Sequence, residues 1–242
     1  MKWLKLYENY TNMQSNKSIY GMIHLFGKEN RIETALEEIK IYEQEGLQGF
    51  IIENYHGSVT DVVNVLKQVD TTLDIGINIL PNEYEQAFSI AAEFGAQFIQ
   101  LDYVSGVYEG YAEGYQYLNV TDYMLCRKKY PQIKVFGGVW PKYYKPIPDS
   151  NLQKDLEKAK ILCDAVVVTG SGTGIQTPTD KIKEFRKILG DFPLIIGAGL
   201  NIDNISQLNY ADGAIVGSSF KLGGKTTNRV DRELVSNFMH KL

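Results

Sequence analysis

The sequence predicts an α/β fold of one kind, a single-domain (β/α)8 barrel, and three observations lead there. Short Val- and Ile-rich runs alternate with longer stretches of helical period from residue 18 to the end. Eight such runs share 242 residues, about 30 per unit, the length of one strand, one helix and their turns. No Pro/Ser-rich linker or charge block divides the chain, so one domain over residues 1–242 is expected.

The elements follow in order. Residues 18–25 (SIYGMIHL) form the first strand, and residues 31–45 a helix whose Ile32, Ala35, Leu36, Ile39 and Tyr42 share one face. The second strand spans 49–54 (GFIIEN) and its helix 59–69; the third spans 73–80 (LDIGINIL) and its helix 83–94. The fourth strand, 98–102 (FIQLD), leads into a polar, tyrosine-rich loop over 103–117, then a helix over 120–129 and the fifth strand, 133–139 (IKVFGGV). A helix over 151–160, the sixth strand 164–169 (DAVVVT), a helix over 179–189 and the seventh strand 192–197 (FPLIIG) continue the pattern. A short helix over 204–208 and the eighth strand 213–217 (GAIVG) precede a closing helix over 231–242, with Asp231 placed to cap it. The competing doubly wound open sheet usually carries fewer strands, and no GxGxxG turn follows the first strand.

Composition narrows the function. With 44% hydrophobic and 22% charged residues the chain is neither disordered nor fibrous. Its 25 basic and 29 acidic residues give a net charge of -4, which lacks the footprint of a polyanion binder, so no nucleic-acid partner is expected. Cys126 and Cys163 form no CxxC pair, and His24, His56 and His240 are well separated, so no zinc or multi-histidine site and no cofactor is expected. The opening MKWLKLYE lacks the apolar core of a signal peptide and no apolar run approaches the ~20 residues of a membrane span, so a cytoplasmic location is expected. A homo-oligomer is the expected assembly on base rates.

Strand parity then selects inward-facing side chains. In the third strand Ile75, Ile77 and Ile79 suit the helix layer, which sends Gly76, Asn78 and Leu80 to the barrel interior. In the fourth, Ile99 and Leu101 belong outside, leaving Phe98, Gln100 and Asp102 inside, with Asp102 at the carboxyl end where barrel active sites sit. Glu53 closes the second strand with the parity of Ile51, and His24 ends the first strand similarly. An inward carboxylate in an apolar ring is either paired or catalytic, whereas a strand-end polar residue often only satisfies a loop amide. Lys142, just past the fifth strand, reads as an electrostatic clamp or Schiff-base amine over the mouth, or as a solvated loop lysine.

Glycine placement is the sharper signal. The sixth strand runs into Thr169-Gly170-Ser171-Gly172-Thr173-Gly174, the seventh into Gly197-Ala198-Gly199, and the eighth into Gly217-Ser218-Ser219. Main-chain amides in such turns approach an anion closely, and barrels commonly hold phosphate in this quarter. The TGSGTG segment lacks the GK(S/T) ending of a P-loop. Lys221 and Lys225 follow the last turn and either add positive charge near the anion or face solvent. Tyr103, Tyr108, Tyr111, Tyr115 and Tyr117 read as an aromatic lid or an oligomer interface, and Trp140-Pro141 with Tyr143-Tyr144 as a second such cluster.

GMIHL at 21–25, ENYHG from Glu53, GINIL at 76–80, AAEFGAQFIQ at 91–100, VVVTGSGTG at 166–174 and ADGAIVGSSFKLGGKTTNRVD at 211–231 together resemble the BtpA/SgcQ family of TIM-barrel proteins, itself similar to the ribulose-phosphate-binding barrels. The resemblance covers most of the chain. Where members often show a proline-rich turn after the first strand, this chain reads Phe26-Gly27-Lys28-Glu29-Asn30, and where a VKH-like segment follows the fifth strand it reads Trp140-Pro141-Lys142-Tyr143. The lysine is kept and the histidine is not. Members are described as photosystem I biogenesis factors or as nucleosidase-like proteins in sugar operons.

The expected function is therefore an enzyme acting on a phosphorylated sugar or a ribosyl or nucleoside compound. Gly197, Gly199, Gly217, Ser218 and Ser219 would hold phosphate; Asn78, Gln100, Thr169, Ser171 and Thr173 would bind the rest of the substrate. Glu53, Asp102, His24 and Lys142 would form the catalytic group, running hydrolysis or isomerisation. The alternative is a non-catalytic assembly or regulatory barrel that keeps a ligand pocket. A third reading places a divalent metal between Glu53, Asp102 and His24.

Overall fold

A strand covered on both faces can satisfy its backbone only through its neighbours, and the Val/Ile-rich runs do so by pairing edge to edge. The computed structural model describes residues 17–110 and 114–242. Numbered in chain order, its strands are β1 (Ser18–Ile23), β2 (Gly49–Glu53), β3 (Asp74–Asn78), β4 (Phe98–Leu101), β5 (Val107–Glu109), β6 (Tyr115–Tyr117), β7 (Lys134–Gly138), β8 (Lys145–Pro146), β9 (Ala165–Val168), β10 (Leu194–Ile196) and β11 (Gly213–Val216). Eight of them form one closed parallel barrel in the order β1-β2-β3-β4-β7-β9-β10-β11. Closure comes from β1, which sets Tyr20 opposite Gly49 of β2 and Ser18 opposite Gly213 of β11. The predicted (β/α)8 barrel is thus the observed architecture.

The helices α1 (Arg31–Gln44), α2 (Val59–Leu66), α3 (Tyr84–Phe94), α4 (Val120–Arg127), α5 (Leu152–Leu162), α6 (Thr179–Leu189) and α7 (Arg232–His240) cover the outside. Asp231 caps α7 as predicted, its Oδ1 accepting from the amides of Glu233 and Leu234 at 2.9 and 3.1 Å. Alternation along each strand separates two cores. Ile52, Ile77, Ile99 and Val135 pack outward against helix residues such as Ile39, Val62 and Phe88. Tyr20, Ile51, Phe98, Phe136, Val167 and Ile195 fill the bore. There the Phe98 and Phe136 rings stack at 4.4 Å and Tyr20 meets Phe98 edge-on at 5.1 Å.

Three details differ from the sequence reading. The segment 103–117 is not simply a loop: β5 pairs antiparallel with β6 and with β8, making a second, three-stranded sheet over the barrel mouth. Tyr103 and Tyr108 are buried within it against Tyr144, so they are not a lid, while Tyr115 and Tyr117 lie exposed. The short helix before β11 is a 3-10 helix, Ile205–Tyr210. The first strand stops at Ile23, because Leu25 takes a left-handed backbone with φ 55°. Residues 1–16, including the opening MKWLKLYE, and Tyr111 lie outside the described residues. Among the described residues no helix is long and apolar enough to cross a membrane.

Candidate active site

The carboxyl ends of β2, β3 and β4 bring the first polar group together. Glu53 and Asn78 are register partners on adjacent strands, so both side chains enter the bore, and Asn78 Nδ2 donates to Glu53 Oε1 at 2.8 Å. Asn78 is fully buried and Glu53 6% exposed. Asp102, one residue past β4, accepts from Tyr144 Oη at 3.2 Å.

Burial pushes the Glu53 carboxyl up to about 7, helped by the nearby Asp102 charge and opposed by Lys142 and the Asn78 hydrogen bond. Asp102 is also raised, again by burial, but Lys142, Tyr144 and Asn78 all pull it back. Two carboxyl groups held in different environments, with one poised near neutrality, are the raw material of an acid–base pair.

His24, just past β1, is buried, and its Nδ1 has no hydrogen-bond partner. Its ring is kept neutral: burial, then the positive charges of Lys221, Lys142 and His56, hold it well below 6.5. It packs edge-on against Tyr55 at 5.5 Å and beside Gly217, where an added Cβ would lie 2.8 Å from His24 Cε1. Gln100 presents a second buried, unpartnered atom, Oε1. Buried polar atoms without a protein partner call for a water, an ion or a bound molecule.

Lys142 sits on a loop whose shape is costly. Trp140 and Tyr143 have φ of 49° and 70°, a left-handed backbone that disfavours any residue with a Cβ. The surroundings hold it there. The Trp140 amide donates to Tyr108 Oη at 3.1 Å, its indole to Asp155 at 2.8 Å, and the Lys142 amide to Thr169 Oγ1 at 2.7 Å. Lys142 Nζ reaches Thr173 Oγ1 at 3.1 Å.

A residue that the sequence reading missed completes the strap. Lys181, in the first turn of α6, donates to the carbonyls of Trp140 at 2.9 Å and Thr169 at 2.8 Å, and burial lowers its amine to about 8. The available signal was a lysine in the opening turn of a helix, where the helix dipole disfavours a cation.

The glycine turns meet these side chains across one cavity of about 40 Å³, whose wall includes His24, Glu53, Gln100, Asp102, Lys142, Thr173, Gly197, Gly199, Gly217 and Ser218. That is room for more than the ~10–15 Å³ that admits one water. Gly199 has φ +67°, and a Cβ there would strike Gln176 backbone atoms at 2.4 Å. The turn after β10 therefore packs backbone to backbone on the turn after β9. Past Gly217 the chain makes a 3-10 turn, Ser218–Phe220, whose own ladder begins at the Phe220 amide, leaving the Ser218 and Ser219 amides outside it.

Not every predicted site residue shares this wall. Ser171 is exposed and Ser219 lies beside the cavity. Asn78 lies beneath Glu53, and Thr169 lines a neighbouring lobe of about 300 Å³ while clamping Lys142. Lys221 is no source of free charge: it is fully buried and paired with Glu38 of α1 at 2.8 Å. Lys225 stands at the outer rim with Tyr55, Tyr143 and Ser218. Among the described residues no three His, Cys, Asp or Glu side chains, Glu53, Asp102 and His24 included, form a group that could hold a metal ion.

Known proteins resemble the chain at two levels. Solved structures share the fold: phosphoribosyl anthranilate isomerase from Thermus thermophilus has a TM-score of 0.62 at 10% identity, covering 93% of this chain and 97% of that one. Tryptophan synthase from Mycobacterium tuberculosis has a TM-score of 0.64 at 12% identity, covering 96% and 95%. In sequence, an uncharacterised protein of Methanocaldococcus jannaschii is 32% identical over 90% of this chain and 92% of its own length. The photosystem I biogenesis protein BtpA of Synechocystis is 25% identical over 96% and 90%. The family model described as BtpA family matches residues 16–242. On that match the chain belongs to the BtpA family.

Proposed function

We propose that the protein is an acid–base enzyme acting on a phosphorylated sugar or ribosyl compound, by hydrolysis or isomerisation. The observation that carries this reading is the cavity whose wall holds both Glu53 and Asp102 and the turn residues Gly199, Gly217 and Ser218. In it the glycine turns, with the Ser218 and Ser219 amides, hold the phosphate. Glu53, whose carboxyl burial lifts to about 7, serves as the proton donor, and Asp102, whose ionised form Lys142, Tyr144 and Asn78 favour against burial, as the base or as the charge facing a developing cation. Lys142 balances the two carboxylates, and neutral His24 offers Nδ1 to a ligand oxygen or hydroxyl. The fold shared with an isomerase of phosphoribosyl anthranilate is compatible with this reading but does not select the reaction.

The test is binding followed by turnover. Inorganic phosphate and ribose 5-phosphate are expected to raise the melting temperature, since a ligand at 100 times its Kd stabilises by ~2.7 kcal/mol. Turnover of a phosphosugar and nucleoside panel is then compared in wild type and Asp102→Asn, where a loss of about 10²–10⁴ with binding retained is expected. A second reading, an assembly factor that keeps a ligand pocket, draws on the name of the Synechocystis relative, and binding without any turnover would favour it. No effect of any phosphate compound on melting would refute both.

A further inference from the structure

Outside the glycine-turn cavity the mouth opens into a polar hollow of about 370 Å³ that the reading above leaves unused. Thr173 and Ser218 line both spaces, which therefore meet. Among the described residues that line the hollow, every one but Gly224 carries a hydroxyl or an ammonium, and none carries a carboxylate. In a chain of net charge -4, a wall so rich in donors suits an anion.

The outer part of that wall is the tip of one loop, Lys225 to Thr227, which the fold holds in place. At the base of the loop Lys221 bridges Val230 in antiparallel fashion. Glu38 Oε1 accepts there from both Lys221 Nζ at 2.8 Å and the Val230 amide at 3.0 Å. A buried ion pair adds little net stability, because desolvation offsets its attraction, but this one closes the loop at a set point. Gly223 and Gly224 turn the chain at φ of 62° and 69°, which a side chain disfavours, and Asn228 Nδ2 spans the loop to the Leu222 carbonyl at 2.7 Å. At the tip, His56 Nε2 and Thr226 Oγ1 hydrogen-bond at 2.9 Å, tying the loop to the segment after β2.

The donors this scaffold presents are not used up within the protein. Lys221 and Arg229 pair with Glu38 and Glu37, whereas Lys225 is exposed and has no ion-pair partner among the described residues. Thr226 and Thr227 lie inside a turn closed by the Asn228 amide on the Lys225 carbonyl at 3.0 Å, and their own amides donate to no backbone carbonyl among the described residues. An ammonium, successive amides and threonine hydroxyls are donors of the kind that gather on a phosphoryl group. Because the hollow and the cavity meet at Thr173 and Ser218, neighbouring phosphoryl groups suit them better than groups at opposite ends of a sugar.

Building on the phosphate reading above, we propose that the ligand carries a diphosphate, with one phosphoryl group at the glycine turns and the second in the hollow on Lys225, Thr226 and Thr227.

The experiment is calorimetric titration of the full chain with ribose 5-phosphate, inorganic phosphate and inorganic pyrophosphate. Pyrophosphate is expected to bind about ten-fold more tightly than phosphate, the scale of one charge-assisted contact. Lys225→Met is expected to erase that advantage while leaving phosphate and ribose 5-phosphate within about two-fold. Lys145→Met, which removes the same charge from β8 in the sheet over the mouth, is expected to keep it. If pyrophosphate gains nothing over phosphate, if Lys225→Met weakens both anions alike, or if Lys145→Met erases the advantage as well, the second phosphoryl site is refuted, and binding of ribose 5-phosphate leaves the phosphate reading standing. Failure of all three compounds to bind overturns both.

Discussion

Replacing Glu53 with glutamine tests the electrostatics of the site without touching its shape. Glutamine keeps the carbonyl-type oxygen that accepts from Asn78 Nδ2 at 2.8 Å, and it can never ionise. In the wild type, burial lifts the carboxyl from 4.5 to about 7. At ~1.36 kcal/mol for each pH unit, that 2.5-unit rise corresponds to about 3 kcal/mol.

The direction follows from which state holds the proton. Below pH 4.5 the group is protonated in both the folded and unfolded chains, so wild type and Glu53→Gln differ by a pH-independent amount. Between pH 4.5 and about 7 the unfolded chain releases its proton first, and the wild-type native state loses stability until the folded group has ionised as well. Urea denaturation of both proteins at pH 4.5, 6, 7 and 8.5 is the assay. The variant is expected to gain on the wild type by about 3 kcal/mol across that window, nearly all of it before pH 8. A difference that stays flat with pH would refute the claim that Glu53 is buried among groups that resist its charge.

Two further predictions rest on packing. Lys221→Met or Glu38→Gln alone breaks a fully buried ion pair and is expected to destabilise by ~3–5 kcal/mol, whereas the two together, with the new glutamine keeping an oxygen for the Val230 amide, are expected to cost less than the sum of the single losses, as a double-mutant denaturation cycle would read. Gly199→Ala forces a side chain into a left-handed backbone and against Gln176, so a loss of at least ~1–2 kcal/mol is expected, together with a weaker melting response to phosphate.

The barrel was legible because its strands are apolar on both faces and its helices are not. Parity alone sent Ile77 and Ile79 outward and Asn78 inward, and Glu53 followed Ile51. The short segments of β5, β6 and β8 lie in polar, tyrosine-rich sequence with no apolar run, so they escaped, and with them the burial of Tyr103 and Tyr108. Lysines were the harder case. Nothing local distinguishes Lys221, whose partner Glu38 is 183 residues away, from Lys225, which faces the rim. Lys181 stands out only by its place in a helix's opening turn, and the carbonyls it serves, 12 and 41 residues distant, are visible only in the fold.

The packed rings of Tyr20, Phe98 and Phe136 make the chamber above them a cul-de-sac. Anything held there meets the glycine turns and the segment carrying Lys142, which line the cavity together. Lys181, a side chain outside both cavity walls, joins the carbonyl of Trp140 to that of Thr169 and so holds together two of the segments that line them.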